Sequence, residues 1–100
     1  MTTDPSARDV VAAAELFKAL SSPLRVTMLR LLSDPHTVGS LVTATGVSQP
    51  LVSQHLRVLR AANLVAVERH GREAIYRVSD EHITHVVEDT ISHARETHPG

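Results

Sequence analysis

The sequence predicts a mainly α, α+β fold: a winged helix-turn-helix of five helices with a two-stranded β-hairpin, assembled as a homodimer. Three observations predict it. Two helical segments meet at a short turn containing Gly46, the arrangement of a helix-turn-helix. Two β-prone runs around Gly71 follow at once, as a wing would. A last helix has one apolar and one polar face, so it must dock on a body and present its other side to something else.

The 100 residues fit one small domain, placed at residues 7–98 behind an expected disordered tail of residues 1–6. A hydrophobic content of 42% supports a folded chain. Phe17 and Tyr76 are the only aromatics, which argues against stacking on RNA or single strands. No apolar run approaches the roughly 20 residues of a membrane span, and residues 1–6 do not read as a signal peptide. A cytoplasmic protein with no membrane or RNA partner is expected. Without cysteine there is no disulfide, thiolate site or thiol sensor.

Asp9 to Leu20 reads as the first helix, with Val10, Ala13, Ala14, Phe17 and Leu20 at helical spacing. Ser22 as N-cap and Pro23 at the first helical position open the second. Its Leu24, Met28, Leu29, Leu31 and Leu32 make it central to the core, and Ser33-Asp34-Pro35 ends it. The third helix spans Thr37 to Thr45 with Val38, Leu41 and Val42 inward and Gly46 as C-terminal cap. Ser48 caps a fourth helix running to about Ala62, and Asn63 ends it.

On the fourth helix, Gln49, Pro50, Ser53, Gln54, Arg57 and Arg60 occupy one arc, and Leu51, Val52, Leu56, Val58, Leu59 and Ala62 the other. The polar arc has amides, hydroxyls and guanidiniums and no acid, groups that donate to base edges and phosphates of a major groove. An ordinary solvated face mixes both charge signs. His55 falls within the apolar arc and is expected to be a buried, hydrogen-bonded structural histidine. The hairpin runs are Leu64 to Arg69 and Glu73 to Val78 around His70-Gly71-Arg72. Its basic tip would reach phosphates or a minor groove; the bland alternative is a surface hairpin with Arg–Glu pairs. The expected DNA contacts are Ser48, Gln49, Ser53, Gln54, Arg57, Arg69 and Arg72. The formal net charge of −1 hides the local excess of arginine between Gln49 and Ser79, where Glu68 and Glu73 are the only acids.

The last helix places Ile83, Val87, Ile91 and Ala94 on an apolar stripe and His82, His85, Asp89, His93 and Glu96 opposite. Imidazole and carboxylate are metal-ligand types. His82 and His93 lie eleven residues apart, about 16 Å along the axis, too far to share an ion within one chain. A second copy laid antiparallel would bring Asp80 and His82 of one chain to His93 and Glu96 of the other. Each dimer would then hold two symmetric sites of two nitrogens and two oxygens. The alternative is a solvated face with Ser79 or Asp80 merely an N-cap. A metal-dependent hydrolase is disfavoured, because four protein ligands leave no open position for water.

The run from Ser48 to Val65, SQPLVSQHLRVLRAANLV, followed by Gly71-Arg72 and Ile75-Tyr76, closely resembles the ArsR/SmtB family of bacterial metal-sensing repressors. The resemblance covers residues 12–96, nearly the whole chain. The spacing Asp80-x-His82, ten residues, His93-x-x-Glu96 is similar to the zinc-sensor pattern of that family's last helix, most of all in actinobacterial SmtB-type sensors. The resemblance implies a winged-helix homodimer that represses from a palindromic operator and is released when Zn(II) binds between the C-terminal helices. By position, Gln49, Ser53 and Gln54 match DNA-reading residues, and Asp80, His82, His93 and Glu96 match metal ligands. The family's other metal site uses cysteines in the third helix, and residues 37–44 have none. His85 and His98 leave open a larger site for Ni(II) or Co(II), and a repressor of the same fold whose signal is not a metal is the remaining alternative.

Overall fold

The structure, a computed structural model, describes residues 4–98. The elements run α1 (Ala7–Ala19), α2 (Pro23–Leu31), α3 (Val38–Thr45), α4 (Gln49–Ala61), β1 (Val65–His70), β2 (Glu73–Val78) and α5 (Glu81–Thr97). These are the five helices and hairpin of a winged helix-turn-helix. No helix among the described residues is long and apolar enough to cross a membrane.

Local chemistry sets most boundaries. The hydroxyl of Ser22 accepts from the Arg25 amide, and Pro23 supplies a fixed φ at the first helical position. Thr37 caps α3 in the same way, accepting from the Ser40 amide at 3.0 Å. Gly46 closes α3 at φ 70° and Asn63 leaves α4 at φ 60°, both in the left-handed region. Ser48 holds the N-cap position of α4, but its side chain makes no cap bond. Ser6, expected in the tail, forms a capping box with Asp9 and starts α1; residues 1–3 of that tail lie outside the described residues.

The core is one cluster. Met28, Leu29 and Leu32 of the α2 segment meet Leu41 of α3 and Val52, Leu56 and Leu59 of α4, with Val65 and Val87 closing the sides. Leu24 and Leu31, expected with them, are only half-buried. α5 packs chiefly on α2, and α3 on α4. The hairpin is antiparallel with Val65 opposite Val78 and His70 opposite Glu73. His70 is therefore a strand residue, and the turn is only Gly71-Arg72, with Gly71 at φ 64°. Leu64, expected to open the first strand, precedes β1 and is buried. His36 also pairs by backbone with Tyr76, at 2.9 and 2.8 Å, and the Val78 amide donates to the Leu32 carbonyl at 2.8 Å, so backbone bonds before α3 and at the end of α2 tie the hairpin to the helices.

α1 departs from the expected packing. Val11 and Phe17 are 63% and 67% exposed, and Val10 and Leu16 are also open; only Ala19 is buried on this helix. The radius of gyration is 14.9 Å, above the roughly 13 Å of a compact domain of this length. α1 is an arm projecting from the body with its apolar side uncovered. Ala94, expected on the apolar stripe of α5, is exposed as well.

Replacing Leu41 with Ala leaves a cavity beneath both helices of the turn. We expect it to destabilise the domain by about 2–5 kcal/mol. Phe17→Ala, at a site exposed within the single chain, is expected to leave intradomain stability within about 0.5 kcal/mol of wild type when both are unfolded at protein concentrations low enough to keep the chains monomeric. Urea unfolding monitored by circular dichroism compares the two.

Candidate nucleic-acid and metal-ligand surfaces

α4 is held by a narrow row. Val52, Leu56 and Leu59, spaced i, i+4 and i+7, are buried to 2% exposure or less. Leu51 and Val58, expected inside, are partly exposed at the flank because the body meets only that row. The opposite arc is open: Gln49, Pro50, Gln54, Arg57 and Arg60 are exposed and Ser53 is half-buried. Ser48 is exposed at the start of the helix. The structure thus puts the predicted polar residues together on one helix face.

The hairpin extends that surface. Strand alternation places Val67, Arg69, Ala74 and Tyr76 on one face of the ribbon. Tyr76 lines a cleft with Ser53, Arg57 and Arg60. Arg69 shares the ribbon face of Tyr76, and Arg72 sits at the exposed tip. The Arg–Glu pairs of the bland alternative are not formed among the described residues. Glu68 instead pairs with His70 at 3.3 Å, and Arg57, Arg60, Arg69 and Arg72 have no carboxylate partner. Exposed guanidiniums without a carboxylate partner among the described residues, on a helix face and an adjoining ribbon, have the chemistry to donate to phosphates and base edges.

On α5 the predicted ligands form two pairs at opposite ends of one exposed face. Asp80 is the N-cap, its Oδ1 accepting from the His82 amide at 2.8 Å. The same oxygen lies 3.6 Å from His82 Nδ1. One carboxylate oxygen therefore anchors the helix and leaves Oδ2 for another ligand, so capping and chelation are compatible roles. His82 is 95% exposed at its side chain. His93 and Glu96 follow at i and i+3, exposed and without a side-chain partner among the described residues. No group of three or more metal-ligand side chains is gathered within the chain among the described residues. The donor types, two imidazoles and two carboxylates without sulfur, fit a borderline divalent ion.

Two further contacts join residues far apart in the chain and have no local signature. Arg30 of α2 donates to Glu88 of α5, Nε to Oε1 at 2.9 Å and Nη2 to Oε2 at 3.5 Å. At about half exposure such a pair is worth roughly 0–1 kcal/mol, less than the roughly 1.5–3 kcal/mol from burying Val87. Apolar packing holds α5 on the body, and the ion pair adds a weak polar contact between the two helices. The second contact joins Arg25 to His55. Arg25 Nη1 donates to His55 Nδ1 at 3.2 Å, and Arg25 Nε donates to the Ala19 carbonyl at 2.6 Å. Arg25 has no lone pair to offer, so Nδ1 is the acceptor and His55 is the neutral Nε2–H tautomer. Burial and the Arg25 charge, in that order, hold its pKa below 6.5. His55 is half-buried and hydrogen-bonded, as a structural histidine would be.

Between α1 and α5 lies an open apolar groove of about 740 Å3, lined by Leu16, Phe17 and Leu20 on one side and Ile83, Val86 and Val87 on the other. His82 and Asp80 stand at its edge.

Comparison with known proteins agrees with this geometry. A model of the bacterial regulatory protein arsR family matches residues 22–67. The chain is 47% identical over 94 residues to the HTH-type transcriptional repressor SmtB of Mycobacterium tuberculosis, covering 92% of this chain and 70% of that protein. Among solved structures, Rv0081 of M. tuberculosis superposes with a TM-score of 0.81 at 31% identity, covering 92% of this chain and 94% of that one. A homodimeric winged helix-turn-helix DNA-binding domain of Mycobacterium bovis shares the fold at a TM-score of 0.79 and 24% identity, covering 100% and 94%.

The lowered His55 pKa fixes a sign. The neutral ring is favoured in the folded state, so its contribution to stability is complete above 6.5 and is lost as pH falls through the lowered native value. We expect wild type to lose more stability than His55→Gln between pH 7.5 and pH 5.5 in denaturant titrations. Arg25→Gln should raise the His55 pKa, read from its ring resonances by NMR, without restoring it fully, because burial persists.

Proposed function

The chain belongs to the ArsR family of bacterial regulatory proteins, and from that premise we propose that it is a cytoplasmic, metal-responsive repressor that binds a palindromic operator as a homodimer and is released by Zn(II). It is a transcriptional regulator and not an enzyme, as its relatives are. The observation that carries the zinc reading is the split donor set: Asp80 with His82 at one end of the exposed α5 face, His93 with Glu96 at the other.

A second copy completes that set. The uncovered side of α1 and the groove between α1 and α5 call for an apolar occupant, and a two-fold-related copy offers the same surface in return. Homodimerisation of the M. bovis domain supports this assembly. With the two α5 helices antiparallel, Asp80 and His82 face the partner's His93 and Glu96. An ion bound there supplies a cross-link between the two last helices.

The response follows from how α5 is mounted. Val87 and the Arg30–Glu88 pair rest α5 on α2, which shares its core with α3 and α4. The reading helices of a dimer must enter successive major grooves, roughly 34 Å apart. A restraint on the α5 pair therefore biases the spacing of both α4 helices. Gln49, Ser53 and Gln54 read base edges in this arrangement, while Ser48, Arg57, Arg69 and Arg72 contact backbone. His85 is exposed on α5 and His98 is its C-cap residue, which favours Ni(II) or Co(II) with a larger ligand set as the second reading.

Fluorescence anisotropy on a duplex from the protein's own promoter region tests the proposal. Zn(II) should lower operator affinity at least about tenfold, within the range of allosteric coupling. His93→Ala should bind as tightly as wild type under chelation and ignore zinc. Unchanged affinity on adding zinc to wild type would leave a winged-helix repressor with another signal. Independently, Arg72→Ala should weaken binding to all duplexes alike and reduce the slope of log affinity against log salt by about one.

A further inference from the structure

One polar contact joins the end of the arm to the reading helix through α2. We propose that the Ala19–Arg25–His55 relay positions the DNA-reading helix α4 relative to the arm α1, so that operator affinity depends on the relay being intact. This inference rests on the reading of the chain as an operator-binding dimer.

Three elements meet at one guanidinium. The Ala19 carbonyl belongs to the last turn of α1, where no further helical amide is available to it. Arg25 Nε fills that role at 2.6 Å, and Nη1 of the same side chain reaches His55 Nδ1 at 3.2 Å. The planar fork has a fixed geometry, so the end of α1 and the middle of α4 are held by one rigid unit. Arg25 is itself tied down, its amide donating to the Ser22 hydroxyl at the α1–α2 junction. His55 lies off the buried row of Val52, Leu56 and Leu59. The row holds α4 along one line, and the polar contact beside it adds a second point of attachment that sets the angle at which Gln49, Ser53 and Gln54 face outward.

The arm is otherwise scarcely attached, with Ala19 its only buried residue. The relay is thus the polar link by which a change at the dimer surface of α1 reaches α4. It also has a built-in sensitivity. Around His55, α2 presents Arg25, α1 presents the Ala19 carbonyl, and the charges of α4 itself, Arg57 and Arg60, lie on the exposed arc. No carboxylate pairs with Arg25 or His55 among the described residues. A proton on Nδ1 removes the acceptor and sets two cations against each other with nothing to offset them. The lowered pKa of His55 agrees with that placement.

The sign of a pH profile separates this role from that of an ordinary surface charge. A histidine that merely gains a proton strengthens attraction to DNA. Protonation of the relay does the opposite. The experiment uses the full chain under chelation, comparing wild type, His55→Gln and His55→Leu on the promoter duplex at pH 7.5 and 5.5, with NMR of the free protein alongside. Gln offers Arg25 an acceptor that does not titrate. We expect His55→Gln to match wild type at pH 7.5, and wild type to fall about fivefold relative to it at pH 5.5, the lower end of allosteric coupling. His55→Leu should bind weakly at both pH values while its circular dichroism remains that of wild type. In the free protein, the Leu20 and Ser21 amides should shift with the same midpoint as the His55 ring. Wild type gaining affinity relative to His55→Gln on acidification overturns the relay, as does a Leu20 amide indifferent to His55. Failure of wild type to bind any promoter duplex at pH 7.5 would instead overturn the operator reading, and the free-protein midpoints would still decide whether arm and helix are linked.

Discussion

Met28, Leu29 and Leu32 are almost wholly buried, and nearly every other element is placed by that row. α5 rests on one side of it through Val87, while Leu41 of α3 and Val52, Leu56 and Leu59 of α4 close the other. Burying a large aliphatic side chain contributes about 1.5–3 kcal/mol, so this shared core outweighs any single polar contact at the surface. The consequence is mechanical. α5 packs directly on α2, whereas α4 packs on α3 and β1 and meets α2 through the shared buried cluster and the Arg25–His55 contact, so the exposed faces of α5 and α4 are joined through one core.

What that core does not reach is equally informative. A chain of this size cannot cover all of its apolar helix faces, and α1 is the element left out. Its alanine-rich side, with Val10, Val11 and Phe17 exposed, keeps helical periodicity without having a body to face. A hydrophobic stripe in sequence states that a helix will dock somewhere. It does not say whether the partner is the same chain. The same limit applies to Leu51 and Val58, apolar by residue type yet at the edge of a contact only one row wide.

The fold itself was legible because its boundaries are written in local chemistry. Ser22-Pro23, Thr37, Gly46 and Asn63 each solve a backbone problem within a few residues, and Gly71 marks a two-residue turn. The candidate metal face was legible for a related reason: i, i+3 spacing on a helix is geometry that sequence displays directly. Contacts between distant segments carry no such signature. His36 meets Tyr76 by backbone alone, Arg30 finds Glu88 across 58 residues, and Arg25 finds His55 across 30. The apolar neighbourhood of His55 indicated a hydrogen-bonded ring, but the ring is half-buried rather than buried, and its partner was out of reach.

Those distant contacts are the ones that join the functional surfaces. The Arg30–Glu88 pair links α5 to α2, and the Arg25 guanidinium contacts both the end of α1 and His55 of α4. Both arginines come from α2, on its exposed and half-buried positions, while the buried positions of the same helix form the core. One helix thus serves as the axle for the arm, the metal-ligand face and the reading helix. A fold built this way needs no long relay of side chains to connect its two surfaces. α2 is the element all three share: Glu88 of α5 meets its Arg30, its Arg25 reaches both the end of α1 and His55 of α4, and its buried residues join the core of α3 and α4.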